Sequence, residues 1–199
     1  MLTKLFIALS LSAAPGSSPA PSTPDEFLDS LQAPVAFENI RPIVELRDGI
    51  HLELSYELPE VGPISIGLHT DDGGSGLGLV TVGETVVAEL RLAEGSVASE
   101  TADFSALSPA QAHAVAASLM QVWREDAVTE AFMVATVDDR AKKCWLAGWM
   151  AGKVAAVLTA GACGVVAGPL AAGCGAPAAL ADVAVKGYVS NKCNQAQNK

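Results

Sequence analysis

Four cysteines are the residues whose type and spacing promise chemistry most plainly. Cys144, Cys163, Cys174 and Cys193 all fall within the last 56 residues of a 199-residue chain, at intervals of 19, 11 and 19. Thiols grouped this way either oxidise in pairs or hold a metal. Zinc favours C-x-x-C or Cys/His pairs at ligand spacing, and neither occurs, because His51, His69 and His113 all stand elsewhere. The expectation is therefore a disulfide framework in an exported chain, with no metal site. The intervals read the same in both directions. Two helical arms of 19 steps, at ~1.5 Å per residue, would each run about 28 Å. Folded antiparallel about "GVVAGPLAAG", they place Cys144 opposite Cys193 and Cys163 opposite Cys174. That pairing is favoured over the other two connectivities, which spacing alone leaves open.

An arm of this length resembles the ~30 Å hydrocarbon core of a bilayer. Between Trp145 and Ala181 the one charged residue is Lys153. Small residues recur every fourth place at Gly148, Gly152, Ala156, Ala160, Gly164 and Gly168. Such a stripe lets helix backbones approach closely, the mode of association used where lipid removes the ordinary hydrophobic drive. Trp145 and Trp149 near one end, with Tyr188 on the partner arm, have the residue types of a membrane interface. Lys142, Lys143 and Lys192 at the same rim suit anionic lipid. The competing reading is a compact secreted helical unit, since Ala/Gly-rich helices also pack in water. Each glycine in a lone aqueous helix costs roughly 1 kcal/mol against alanine, so packing or lipid must support the arms.

Outside the cysteine segment no catalytic set assembles. "HTDDGGSGLG" (His69–Gly78) offers a histidine, two carboxylates and glycines, but lacks EF-hand spacing and reads as a loop tip between strands. There is no G-x-S-x-G, no H-E-x-x-H, and no cysteine with a histidine partner. A secreted enzyme with an accessory tail is the weakest reading, because nothing in residues 25–140 supplies nucleophile, base and orienting group. No cofactor is implied.

The elements that carry these residues follow from pattern. Residues 1–24 combine one lysine, an apolar run from Leu5 to Leu11 and a Pro/Ser linker, the layout of a short signal peptide. Pro15 and Pro21 would hinder cleavage at the most obvious small-residue sites, so processing is expected after Ser12. The alternative is an apolar N-terminus with a Pro/Ser linker. "TPDEFLDSL" predicts a helix, with Thr23 as cap, Pro24 in the first turn, Glu26 closing a capping box, and Phe27, Leu28 and Leu31 on one face. "IVELRDGIHLELSYEL" predicts a hairpin turning at Asp48-Gly49. "PISIGLHT" and "LGLVTVGETVVAELRL" extend it to four or five antiparallel strands, the last pair turning at Gly83-Glu84, with one buried face and one wet face. "SPAQAHAVAASLMQVW" predicts a helix capped by Ser108 and Gln111, with Ala112, Val115, Leu119 and Val122 laid on the sheet. Residues 125–137 suit either a helix or a last strand, and "DDRAKK" marks a polar joint. The expected architecture is an acidic α+β domain at 25–140 and an all-α, disulfide-linked helical hairpin at 141–199.

Charge divides the same way. The whole chain is −10, yet residues 141–199 hold six lysines and one acid, leaving +5 there and −15 on the rest. An excess of acid excludes nucleic acid as a partner. A basic tail beside an acidic leader suits a membrane partner, or a tail held by its own leader.

An exported acidic precursor whose Cys-bearing tail reads "AGACGVVAGPLAAGCGAP" resembles the secreted bacteriocin precursors of the halocin C8 type. The likeness covers only Cys144–Cys193. It implies a C-terminal antimicrobial peptide released from an N-terminal part linked to immunity; that family's peptide is denser in cysteine. The small-residue stripe also resembles glycine-zipper segments of envelope proteins. The expectation is thus a secreted precursor of a membrane-active peptide, with the target-cell membrane as partner and the N-terminal domain as intramolecular restraint. The alternative is a cell-envelope structural protein with an inserting or self-associating tail.

Overall fold

The computed structural model of the chain describes residues 24–46, 48–135, 140–167 and 174–195. The leader and Thr23, the expected cap of the first helix, lie outside them. Helix α1 (Pro24–Ser30) precedes strands β1 (Glu38–Glu45), β2 (Ile50–Leu58), β3 (Gly62–Thr70), β4 (Gly76–Val82), β5 (Thr85–Ala93) and β6 (Ser96–Ala102). Helices α2 (Pro109–Gln121), α3 (Asp126–Val134), α4 (Arg140–Ala167) and α5 (Gly175–Gln195) follow. Residues 126–134 settle as helix rather than strand. Ser108 and Gln111 close the expected capping box at α2.

The six strands form one antiparallel meander in chain order. Alternation builds it: Leu52, Leu54, Tyr56 and Leu58 on β2, with Ile64, Ile66 and Leu68 on β3, all point to the buried face. Gly83-Glu84 is the two-residue turn its sequence predicts, closed by Val82 opposite Thr85. Asp48-Gly49 is not. Glu45 pairs with His51, so the chain crosses by a longer loop that buries Leu46. Gly49 there has φ 115°, and a Cβ would run into the Thr70 carbonyl. One strand escaped the hydrophobic pattern: β6, "SVASETA", is exposed throughout and carries no alternation. Both edges discourage further pairing, β6 by its polarity and β1 by a bulge and Pro42.

The helices cover the buried face. Tyr56 from the sheet bonds Ser118 of α2 through its hydroxyl at 2.8 Å, and burial raises its pKa far above the usual tyrosine range. Phe27 and Leu31 at the N-terminal helix are fully buried as expected. The core does not stop at the charge boundary near residue 140. Buried residues run from the strands through α2 and α3 into α4 and α5 as one cluster. Of the polar joint "DDRAKK", residues 138 and 139 lie outside the described residues, and residues 140–143 form the first turn of α4.

Helix α1 is held by His113 of α2. The imidazole meets Phe27 edge-on at 5.7 Å and shares a 2.6 Å hydrogen bond between Nε2 and Ser30 Oγ. Burial pushes this histidine below its ordinary value. The unfolded chain, titrating near ~6.5, then takes up the proton first. Stability is full above that value and falls as pH drops through it toward the depressed folded value. Urea midpoints at pH 7.5 and pH 5 are expected to separate more for the natural protein than for His113→Gln, which removes this contribution.

Candidate functional site: a sulfur-tied hairpin and its cover

The cysteine segment folds as two antiparallel helices closed at both ends by sulfur. Cys144 pairs with Cys193 and Cys163 with Cys174, at Cα separations of 5.4 and 5.7 Å. This is the connectivity the equal intervals favour. On α5 the buried residues recur every fourth place: Pro177, Ala181, Val185, Val189 and Cys193. Proline is tolerated at the first of these because the opening turn of a helix leaves its amides without intrahelical acceptors anyway. The glycine side of α4 meets the α5 backbone directly. A Cβ on Gly148 would stand 2.8 Å from the Lys186 carbonyl, and one on Gly152 would stand 2.7 Å from the Asp182 carbonyl. The backbones can approach this closely because both side chains are absent.

The small-residue stripe does not run the whole length as a seam. Ala156 and Ala160 are half-buried, and a Cβ on Gly164 would meet nothing within 4 Å. Gly168 lies outside the described residues. Two close approaches to the other side of α4 were not anticipated. A Cβ on Gly161 would press to 2.7 Å from the Phe104 ring, and one on Gly78 of β4 would lie 3.1 Å from Val154. Alternation in "LGLVTV" puts Gly78 on the buried face, so that contact had a signal. Gly161, off the four-residue series, had none.

Charge inside the hairpin cancels locally. Lys153, half-buried on α4, donates to Asp182 of α5 across the interface. The other carboxylate oxygen of Asp182 is buried without a hydrogen-bond partner, pressed against the space Gly152 leaves.

The expected membrane rim is partly assembled. Trp145 is 53% exposed, stacks on half-buried Trp149 at 6.4 Å, and lies under Lys186 Nζ at 5.5 Å. Tyr188 sits beneath Lys192 at 5.4 Å and Arg124 at 6.0 Å. Lys143 is already taken in the folded chain. Its ammonium is 3.1 Å from Asp72, in the loop between β3 and β4, and its side chain is only 16% exposed. The Lys142 side chain lies outside the described residues.

The loop "HTDDGGSGLG" is the tip its composition suggested, closed by Asp71 accepting from the Ser75 amide. Through Asp72 it reaches Lys143 of α4. Helix α4 is the one described helix long and apolar enough to cross a membrane, from Lys143 to Val166, yet more than half of that window is buried inside the protein. The sheet, α2 and α5 together enclose it. A helix apolar on all sides must be enclosed by something, whether protein or lipid.

The glycine geometry predicts substitutions of opposite sign. Gly148→Ala and Gly152→Ala force backbone apart and should each destabilise by about 1–3 kcal/mol. Gly164→Ala fills open space in a helix and should stabilise by up to ~1 kcal/mol. Chemical denaturation of the three oxidised variants reads both signs. Against known protein families, curated proteins and solved structures, no match to this chain is found.

Proposed function

We propose that this chain is an exported precursor of a membrane-active, bacteriocin-like peptide, in which the acidic N-terminal part restrains the basic hairpin. One observation carries the reading. The helix with the length and apolarity to enter a bilayer is held in a sulfur-closed pair, and more than half of its apolar window is buried in the protein, against α5, α2 and the sheet. Disulfides themselves point to an oxidising compartment. Cutting near "DDRAKK" would separate cover from hairpin while leaving both sulfur bonds intact. The freed piece then exposes the surface around Val154 and Gly161 that β4 and Phe104 occupied. Lys143 loses Asp72 and joins Trp145, Trp149 and Lys186 at one basic, aromatic end, suited to anionic headgroups.

A continuous core favours a second reading, that the chain stays whole in the cell envelope and uses the same end to lie on a membrane. Mass analysis of culture medium distinguishes them. A secreted fragment beginning near residues 141–144 supports the precursor; an intact, membrane-retained chain supports the anchor.

Vesicles of anionic lipid loaded with dye provide the direct test. The intact oxidised protein should leave them sealed. Oxidised 141–199 should release the dye at micromolar concentration and inhibit sensitive bacteria. A hairpin that remains monomeric, soluble and indifferent to both lipid and cells would end the proposal.

A further inference from the structure

The open face of the sheet, away from every helix and independent of the hairpin's role, carries two histidines and a carboxylate in one place. His51 of β2 stands directly opposite His69 of β3 in the antiparallel register. Glu53, two residues along β2, shares their face because alternate residues of a strand point the same way. The imidazole rings lie 4.5 Å apart between centroids. Glu53 Oε1 is 3.7 Å from His51 Nε2 and 3.9 Å from His69 Nε2. All three ligand atoms fall within 4.8 Å of one another.

We propose that His51, Glu53 and His69 form a site for a divalent transition ion of the zinc class, with one coordination position left open. Tetrahedral zinc with bonds of about 2.0–2.2 Å holds its ligand atoms about 3.3–3.5 Å apart. Small side-chain rotations close the observed spacings to that value. Two imidazoles and one carboxylate are a donor set that zinc accepts, and that leaves a fourth position for water or an incoming oxygen.

Two features beyond the triad support a site rather than an incidental cluster. Gly67 is the register partner of Glu53 and lies two residues from His69 on the same face. A Cβ there would stand 3.3 Å from His69 Nε2, so its absence leaves the ring free to lean toward the carboxylate. Glycine within a strand otherwise weakens it, and marks places where something must approach the backbone. Glu53 and Gly67 also line a shallow cavity of about 420 Å³, whose other polar groups are Arg41, Ser55, Ser65 and Thr81. An ion bound by Glu53 would sit at the edge of this cavity, beside a guanidinium and three hydroxyls able to hold an oxygen-bearing ligand.

Full-length oxidised protein without a polyhistidine tag, titrated with Zn²⁺ against a chromophoric chelator, tests the proposal. One ion per chain at micromolar concentration or tighter is expected. His51→Gln and His69→Gln should each weaken binding at least about tenfold, Glu53→Gln should weaken it, and His113→Gln should leave it unchanged. Should a variant fail to fold, the natural protein suffices: Zn²⁺ should protect His51 and His69 from carbethoxylation, read by mass spectrometry, and leave His113 unaffected. Absence of uptake by the natural protein, uptake surviving His51→Gln with His69→Gln, or unprotected rings would each overturn the site.

Discussion

Everything in this fold answers to the enclosure of α4. An ordinary surface helix shows one apolar stripe and needs cover on one side only. Helix α4 carries a single charge, Lys153, between Cys144 and Cys163, so most of its circumference needs cover. The protein surrounds it with a sheet on one side, α2 beside it, and α5 beyond. Three glycines make the surrounding tight: two admit α5, and the third admits Phe104. Close backbone contact replaces bulky side chains between α4 and α5, while Tyr56, Phe27, Phe132 and the strand leucines and isoleucines fill the core under the sheet. Dispersion between well-packed small groups supplies the cohesion that large side chains supply elsewhere.

The sulfur bonds act on the same problem from the unfolded state. Closing a 49-residue separation removes more chain entropy than closing one of 11, a difference of roughly 1 kcal/mol. The long closure joins the free ends of both arms, where fraying would begin. The short one fixes the bend. Together they make the α4–α5 pair persist with less help from the sheet. Lys153 and Asp182 fit this account. Their charges are satisfied within the pair rather than across to the sheet.

Much of this was legible in the residues. The palindromic cysteine intervals favoured the observed bridges, because two equal antiparallel rods bring sulfur together at both ends. Alternation predicted four or five of the six strands, and Ser108 with Gln111 placed the start of α2. What escaped did so for physical reasons. Strand β6 is an exposed polar edge, so no apolar period announces it. The longer β1–β2 loop follows from Leu46 turning into the core, a tertiary preference that outweighs the local Asp-Gly signal. Lipid and protein interior select the same helix composition, so the apolar arms alone could not reveal that a sheet covers one of them. The pairing of His51 with His69, whose sequence context suggests a loop tip, was within reach of the strand pattern. The β2–β3 register carries Leu58 opposite Gly62, and extending it sets the two imidazoles face to face. Considering histidines by sequence distance hid a neighbourhood that strand pairing creates.

Enclosure also determines what cutting the chain would do. While α3 and α4 are joined, the sheet meets the hairpin at an effective concentration on the millimolar scale. That suffices to keep even a modest interface closed, and the Lys143–Asp72 pair adds charge attraction at its margin. Breaking one peptide bond removes none of the contacts. It removes the linkage, so the two parts stay together only at concentrations above their own dissociation constant. Dilution below that constant then favours separation. Salt would weaken the ionic margin further. The cover is non-covalent among the described residues: α4 meets the sheet at Gly78 and Phe104 at Gly161, with the Lys143–Asp72 pair at the margin and the continuous core between.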